Sequence, residues 1–128
     1  MTKKVLLIED EMPAVDIYEK VLNKAGFKTK SLTSGKEALS ELRKIKHQAE
    51  EKPHIILLDL ILPDINGIEI LKEIKSGQET RDIPVVILTN YRDIETEQMG
   101  DQLGANAYII KTNITPQEIV GIVRKYLS

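Results

Sequence analysis

The chain has 128 residues, carries 18 Lys and Arg against 20 Asp and Glu for a formal charge of −2, and contains no cysteine. That length suits one domain and leaves no room for a second. Mixed, nearly balanced charge offers no footing for nucleic acid or an anionic membrane, and a chain without cysteine has neither disulfides nor thiol chemistry.

The amino terminus gives Lys3-Lys4 and then four apolar residues, Val5 to Ile8, before Glu9. Such a run is too short for a signal-peptide core or a membrane span, so a cytoplasmic protein with no membrane partner is expected. It reads instead as a first strand. Ala14, Ile17, Tyr18, Val21, Leu22 and Ala25 then recur at helical spacing, and Gly26 supplies a left-handed stop. Phe27 to Leu32 reads as a second strand. Ser34 with Glu37 has the form of a capping box, opening a second helix whose buried stripe is Ala38, Leu39, Leu42 and Ile45. Its charged continuation from Lys44 to Lys52 is expected to run on into solvent until Pro53 ends it. A third strand, Ile55 to Leu58, leads to Asp59 and a turn punctuated by Pro63 and Gly67. Ile68, Leu71 and Ile74 mark a third helix with Gly77 at its end. Val85 to Leu88 is a fourth strand ending at Thr89. Ile94, Met99 and Leu103 mark a fourth, weaker helix stopped by Gly104. Tyr108 to Ile110 is a fifth strand ending at Lys111. Thr115, Pro116 and Glu118 cap a last helix built on Ile119, Val120, Ile122, Val123, Tyr126 and Leu127.

Strict alternation of five strands and five helices predicts an α/β fold with a doubly wound parallel sheet, because parallel neighbours need helical crossovers. Strand order 2-1-3-4-5 is expected by analogy with flavodoxin-like sheets, in which ligands bind outside the carboxyl ends of the strands. That edge collects Glu9-Asp10, Asp59, Thr89 and Lys111. Three acids, a hydroxyl and an ammonium in one place can hold a divalent metal and accept a phosphoryl group.

Asp59 also leads the stretch Asp59-Leu60-Ile61-Leu62-Pro63-Asp64-Ile65-Asn66-Gly67, and Tyr108 stands three residues before Lys111. On these residues the chain resembles a response-regulator receiver domain of the CheY type, over essentially its whole length. The resemblance implies a five-stranded, flavodoxin/CheY-like (βα)5 fold forming a single stand-alone receiver domain at 1–128. It implies a role in two-component signal transduction, with no enzymatic activity beyond its own phosphorylation and dephosphorylation. Asp59 would accept a phosphoryl group from a sensor histidine kinase or a phosphotransfer protein, with Thr89 and Lys111 contacting that group. Mg2+ would be held by Asp10, Asp59 and the backbone carbonyl of Ile61, and by Glu9 through water. Residue chemistry agrees: hard oxygens suit Mg2+, and a carboxylate attacks a multiply charged phosphoryl group only once cations cancel the repulsion. By the same resemblance Tyr108 is a switch residue coupled to Thr89. The signal would leave through the face of the fourth helix, fifth strand and fifth helix, toward a downstream protein. The chain would be a monomer or a weak phosphorylation-dependent dimer, and a phosphorelay intermediate is the alternative to a terminal effector.

Blander roles compete for several residues. Asp10 also suits an N-cap; Asp64 and Asn66 are read as turn and capping residues outside the chemistry, Glu11 as solvated, and His47 and His54 as structural or incidental. Two positions depart from the family pattern. Thr112 stands where Pro usually follows the lysine, leaving the Lys111–Thr112 peptide open between trans and cis. Asn90 replaces the small residue usual after the threonine and narrows the mouth of the site. Ile61 and Tyr91, two past Asp59 and Thr89, orient water poorly and predict a long-lived aspartyl phosphate. A Mg2+-dependent phosphatase of the haloacid-dehalogenase kind would need a second acid where Ile61 stands. A flavodoxin-like electron carrier would need a phosphate-cradling loop where Glu9-Asp10-Glu11 repels phosphate.

Overall fold

The computed structural model describes residues 2–128. Its elements alternate as β1 (Lys4–Ile8), α1 (Met12–Lys24), β2 (Lys28–Leu32), α2 (Gly35–Lys46), β3 (Ile55–Leu58), α3 (Gly67–Ser76), β4 (Val85–Thr89), α4 (Ile94–Gln102), β5 (Ala107–Ile110) and α5 (Pro116–Leu127), with a 3-10 turn at Lys111–Asn113. All pairings are parallel and the sheet order is β2-β1-β3-β4-β5, as expected. Among the described residues, no helix is long and apolar enough to cross a membrane.

The near-continuous apolar strands are buried on both faces, and their alternation splits the core in two. Val5, Leu7, Ile55, Leu57, Val86 and Leu88 pack against Val15, Tyr18 and Leu22 of α1 and Ile119, Val120 and Val123 of α5. Leu6, Ile8, Ile56, Leu58, Val85 and Ile87 pack against Ala38, Leu42 and Ile45 of α2 and Ile68, Leu71 and Ile74 of α3. Each Val, Leu or Ile side chain among these contributes about 1.5–3 kcal/mol of transfer free energy on leaving water, so the two layers clamp the sheet between them and fix where its strand ends lie.

Helix ends follow their predicted signals with instructive exceptions. Gly26 and Gly104 both take the left-handed conformation, φ +97° and +99°, that a Cβ would disfavour. Thr115 and Glu118 form the full capping box of α5. At α2 only half the box forms: Ser34 accepts from Glu37 N–H, but the Glu37 carboxylate turns to the Thr33 N–H at 2.6 Å. The helix also stops at Lys46 rather than running to Pro53. Gln48, at φ 58°, lets Ala49 N–H return to the Lys44 carbonyl at 2.8 Å, which closes a Schellman-type end. The charged segment beyond then folds back, and Glu50 pairs with Lys30 and Lys4 of the sheet. Three residues assigned to helix stripes lie elsewhere: Ile17, Met99 and Ile94 are exposed, Ile94 at 73%. In α1 the buried stripe uses Val15 in place of Ile17, and α4 touches the sheet through Gly100, whose missing Cβ would stand 2.9 Å from Ile87 Cδ1.

Candidate functional site

Four strand ends bring the site together at the carboxyl edge. β1 ends in Ile8 and hands over to Glu9, whose N–H is held by the Leu32 carbonyl at 2.9 Å; β3 hands over to Asp59, whose N–H donates to the Ile8 carbonyl at 2.9 Å. The three carboxylates of Glu9, Asp10 and Asp59 offer oxygens that all lie within 4.8 Å of one another. This hard-oxygen set fits a small divalent cation such as Mg2+. Capping does not consume Asp10, since α1 opens at Glu11 with no side-chain cap bond.

Lys111 enters from the end of β5 as the cluster's cation. Its ammonium donates to Asp59 Oδ2 at 2.8 Å, contacts Glu9 Oε1 and reaches Glu11 Oε1 at 3.3 Å. Burial works against its charge, but the bonds to Asp59 and Glu9 outweigh that and hold its pKa above the usual lysine value. For Glu9 burial wins: stripped of water, its carboxyl is pushed up to about 7 despite the Lys111 contact. Asp59 is 4% exposed. Its other oxygen, Oδ1, accepts the Ile61 N–H at 3.1 Å, so this backbone link belongs to the amide of Ile61.

The loop behind Asp59 is closed by its punctuation. Gly67 N–H donates to the Leu60 carbonyl at 2.8 Å, and a Cβ at Gly67 would stand 2.6 Å from the Asp59 carbonyl oxygen. Only glycine allows that approach without moving the acid. Asn66 caps α3 through Ile68 N–H, as read from the sequence. Asp64 caps a different helix: its two oxygens take Gly35 N–H at 2.7 Å and Lys36 N–H at 3.0 Å at the start of α2. These bonds, the Gly35 one foremost, hold its carboxyl below the usual range.

A cleft of ≈ 480 Å³ opens over these groups, lined by Asp10, Glu11, Asp59, Ile61, Thr89, Asn90, Tyr91 and Lys111. Thr89 is wholly buried at the end of β4, and its Oγ1 accepts the Tyr91 N–H at 3.2 Å, which leaves the hydroxyl proton for another acceptor. Ile61 and Tyr91 are exposed at the rim. Tyr108, on β5, packs partly against the core and donates its hydroxyl to the Tyr91 carbonyl at 2.6 Å. Burial pushes this phenol up to about 12, so it stays a donor. The sequence reading brought Glu9, Asp10, Asp59, Thr89 and Lys111 to one place, and the structure does so. It missed the reach of Glu11 to Lys111 and the bond from Thr112 N–H to Asn90 Oδ1 at 3.1 Å. The Lys111–Thr112 peptide is trans, as are all others among the described residues. His54 is structural, its Nδ1 accepting the Lys4 N–H at 2.9 Å.

Comparison with known proteins places this edge in context. The response regulator receiver domain family matches residues 5–124. The polar-differentiation response regulator DivK of Brucella ovis is 32% identical over 128 residues, which is 100% of this chain and 98% of DivK. The phosphorylated cyanobacterial phytochrome response regulator RcpA superposes with a TM-score of 0.89 at 30% identity, covering 100% of this chain and 96% of RcpA. The Mn(2+)-bound form of response regulator Rcp1 gives 0.88 at 29% identity over 98% and 95% of the two chains. Family match, whole-length relative and superposed fold agree with the acid, hydroxyl and lysine at the strand ends, and the chain belongs to the response regulator receiver domain family of two-component signalling.

Proposed function

We propose that this chain is a phosphoryl-accepting switch in which Asp59 is the sole acceptor. One observation carries the reading: a nearly buried carboxylate faces both an ammonium at 2.8 Å and the cleft, beside two further carboxylates. An Asp59 oxygen attacks phosphorus in line, and a P–O bond forms as the P–N bond of a donor phosphohistidine breaks. The bonding pair leaves with the imidazole. The donor is a sensor histidine kinase or a phosphotransfer protein. Lys111 lies on Asp59 Oδ2 and pairs with a phosphoryl oxygen once the group is in place; Thr89 donates its hydroxyl to another. Glu9, Asp10 and Asp59, with the Ile61 carbonyl, are the residues that would hold Mg2+, which when bound offsets the charge of the transferred group. The Mn(2+)-bound form of Rcp1 and the phosphorylated form of RcpA support both halves of this reading.

The readout follows from the same contacts. Drawing Thr89 toward the phosphoryl group pulls on Tyr91 N–H, and Tyr108 holds the Tyr91 carbonyl, so the two ends of that loop shift together. This changes the face of α4, β5 and α5 that a downstream protein reads. Catalysis by the chain is confined to its own phosphorylation and dephosphorylation. The test is intact mass after incubation with acetyl phosphate and Mg2+. One added phosphoryl group is expected, absent when a chelator is present during the incubation and absent in Asp59→Asn; labelling that persists in that variant would sink the assignment.

A further inference from the structure

We propose that Asn90 is a positioning residue for the phosphoryl-transfer reaction: it holds the turn that carries Lys111 by capping that turn from the neighbouring strand. The inference rests on the reading of Asp59 as phosphoryl acceptor. Parallel pairing sets Thr89 of β4 against Ile110 of β5, so Asn90 and Lys111 leave the sheet side by side. After β5 the chain tightens into the 3-10 turn Lys111–Asn113, whose first N–H groups have no acceptor within the turn. Ile110 occupies the N-cap position and makes no side-chain cap bond. A proline at 112 would bring no N–H to this place; Thr112, exposed at the surface, brings one that a side-chain acceptor can take in place of water.

Asn90 Oδ1 is that acceptor, at 3.1 Å. Asparagine caps turns well because its short side chain presents a carbonyl oxygen, though it usually does so within its own segment. Here it reaches across to the next strand end. The two departures from the family pattern, a donor at 112 and an acceptor at 90, therefore satisfy one another. The same loop is pinned a second time by the Tyr108 hydroxyl on the Tyr91 carbonyl at 2.6 Å. Residues 89–91 and 110–112 are thereby tied together, and with them the hydroxyl of Thr89 and the ammonium of Lys111. A clamp that must grip one phosphoryl group from two strands depends on that fixed spacing.

Three substitutions separate the cap from the bulk of the side chain. Asn90→Ala removes acceptor and volume, Asn90→Leu keeps volume without an acceptor, and Asn90→Asp keeps the acceptor. Hydrogen exchange of the Thr112 amide, followed by NMR, should speed up about tenfold in the Ala and Leu variants and stay parental in the Asp variant. Labelling by acetyl phosphate should slow about three- to tenfold in both Ala and Leu. Mg2+ affinity should stay within about twofold of the parent, since Asn90 contributes no ligand. Unchanged Thr112 exchange in Ala and Leu overturns the proposal, as does faster exchange with parental labelling. Faster labelling in Ala beside parental labelling in Leu assigns Asn90 a shielding role by volume and overturns it too. A parent that takes no phosphoryl group at Asp59 overturns the reading beneath, and the positioning role with it; a labelled parent with unaltered variants overturns the positioning role alone.

Discussion

Two clusters of charge lie on this sheet, and they are built on opposite principles. At the carboxyl edge Glu9, Asp10, Asp59 and the reaching Glu11 meet one cation, Lys111. On the β2 side, two acids meet two lysines: Lys30 pairs with Glu41 at 3.0 Å and with Glu50 at 2.7 Å, while Lys4 pairs with Glu50 at 3.5 Å and donates to the Glu51 carbonyl. The second cluster is closed and neutral. It ties the returning segment after α2 to β1 and β2, and nothing is left for a ligand to neutralise. The first is open to a cleft and carries more acid than its lysine offsets. Surplus charge that folding leaves uncompensated is what a cation-binding site looks like; balanced charge is what a staple looks like.

Removing the cation from each cluster should expose that difference. Lys111→Ala leaves Glu9 and Asp59 buried and facing one another, and should cost about 3 kcal/mol of stability without metal. Mg2+ should recover much of this and bind at least as tightly as to the parent, because an ammonium is no ligand and its charge opposes the metal. The phosphorylation-linked NMR shift around Tyr108 should vanish. Urea unfolding with and without Mg2+ checks the first part; a collapse of Mg2+ affinity would contradict the role given to Lys111. Lys30→Met in the closed cluster should cost less, about 2 kcal/mol, because Lys30 is 36% exposed and water screens part of the pair. Mg2+ should restore none of it, and labelling of Asp59 should proceed as in the parent. Metal rescue of this variant would mean the two clusters do not differ as described.

The rim of the open cluster sets the next effect. Ile61 and Tyr91 border the cleft and neither places a hydrolytic water well. The double variant Ile61→Asn, Tyr91→Glu should lose phosphate about tenfold faster after donor removal, an effect near 1.4 kcal/mol in the barrier. Decay no faster than the parent would remove the rim from the account of lifetime. Smallest is a pH effect in the closed cluster. The Lys30 bond, with help from Glu51 N–H and Lys4, holds Glu50 down at about 2 from an ordinary 4.5. A depressed carboxylate stabilises the fold above its unfolded pKa and stops doing so as pH falls through the folded one. The stability gap between parent and Glu50→Gln should therefore be full near pH 7, shrink below about pH 4.5 and close near pH 2. A gap that is constant with pH would show that the carboxylate's charge is not what pins the segment.

Period and punctuation determined most of what could be read along the chain. Apolar runs that end in Glu9, Asp59, Thr89 and Lys111 announce a parallel sheet with its chemistry at one edge, because strands buried on both faces have no other use for a charge. Gly26, Gly104 and the Thr115–Glu118 box are local devices, so their outcomes were legible locally. The half-formed box at Ser34–Glu37 failed locally, through Thr33 N–H; the other failures were of one kind. Whether α2 stops at Lys46 depends on Lys4 and Lys30 waiting on two strands to receive Glu50. Whether Ile94 and Met99 are core depends on how closely Gly100 lets α4 approach Ile87. Asp64 looked like a residue of its own turn and instead caps α2. Asn90 looked like an obstruction and instead accepts from Thr112. Residue types, order and spacing decide which groups a strand end delivers, since these follow from backbone geometry over a few residues. Tertiary structure alone decides what each group meets there, because donors and acceptors far apart in sequence become partners only when packing removes the water that would otherwise have served both.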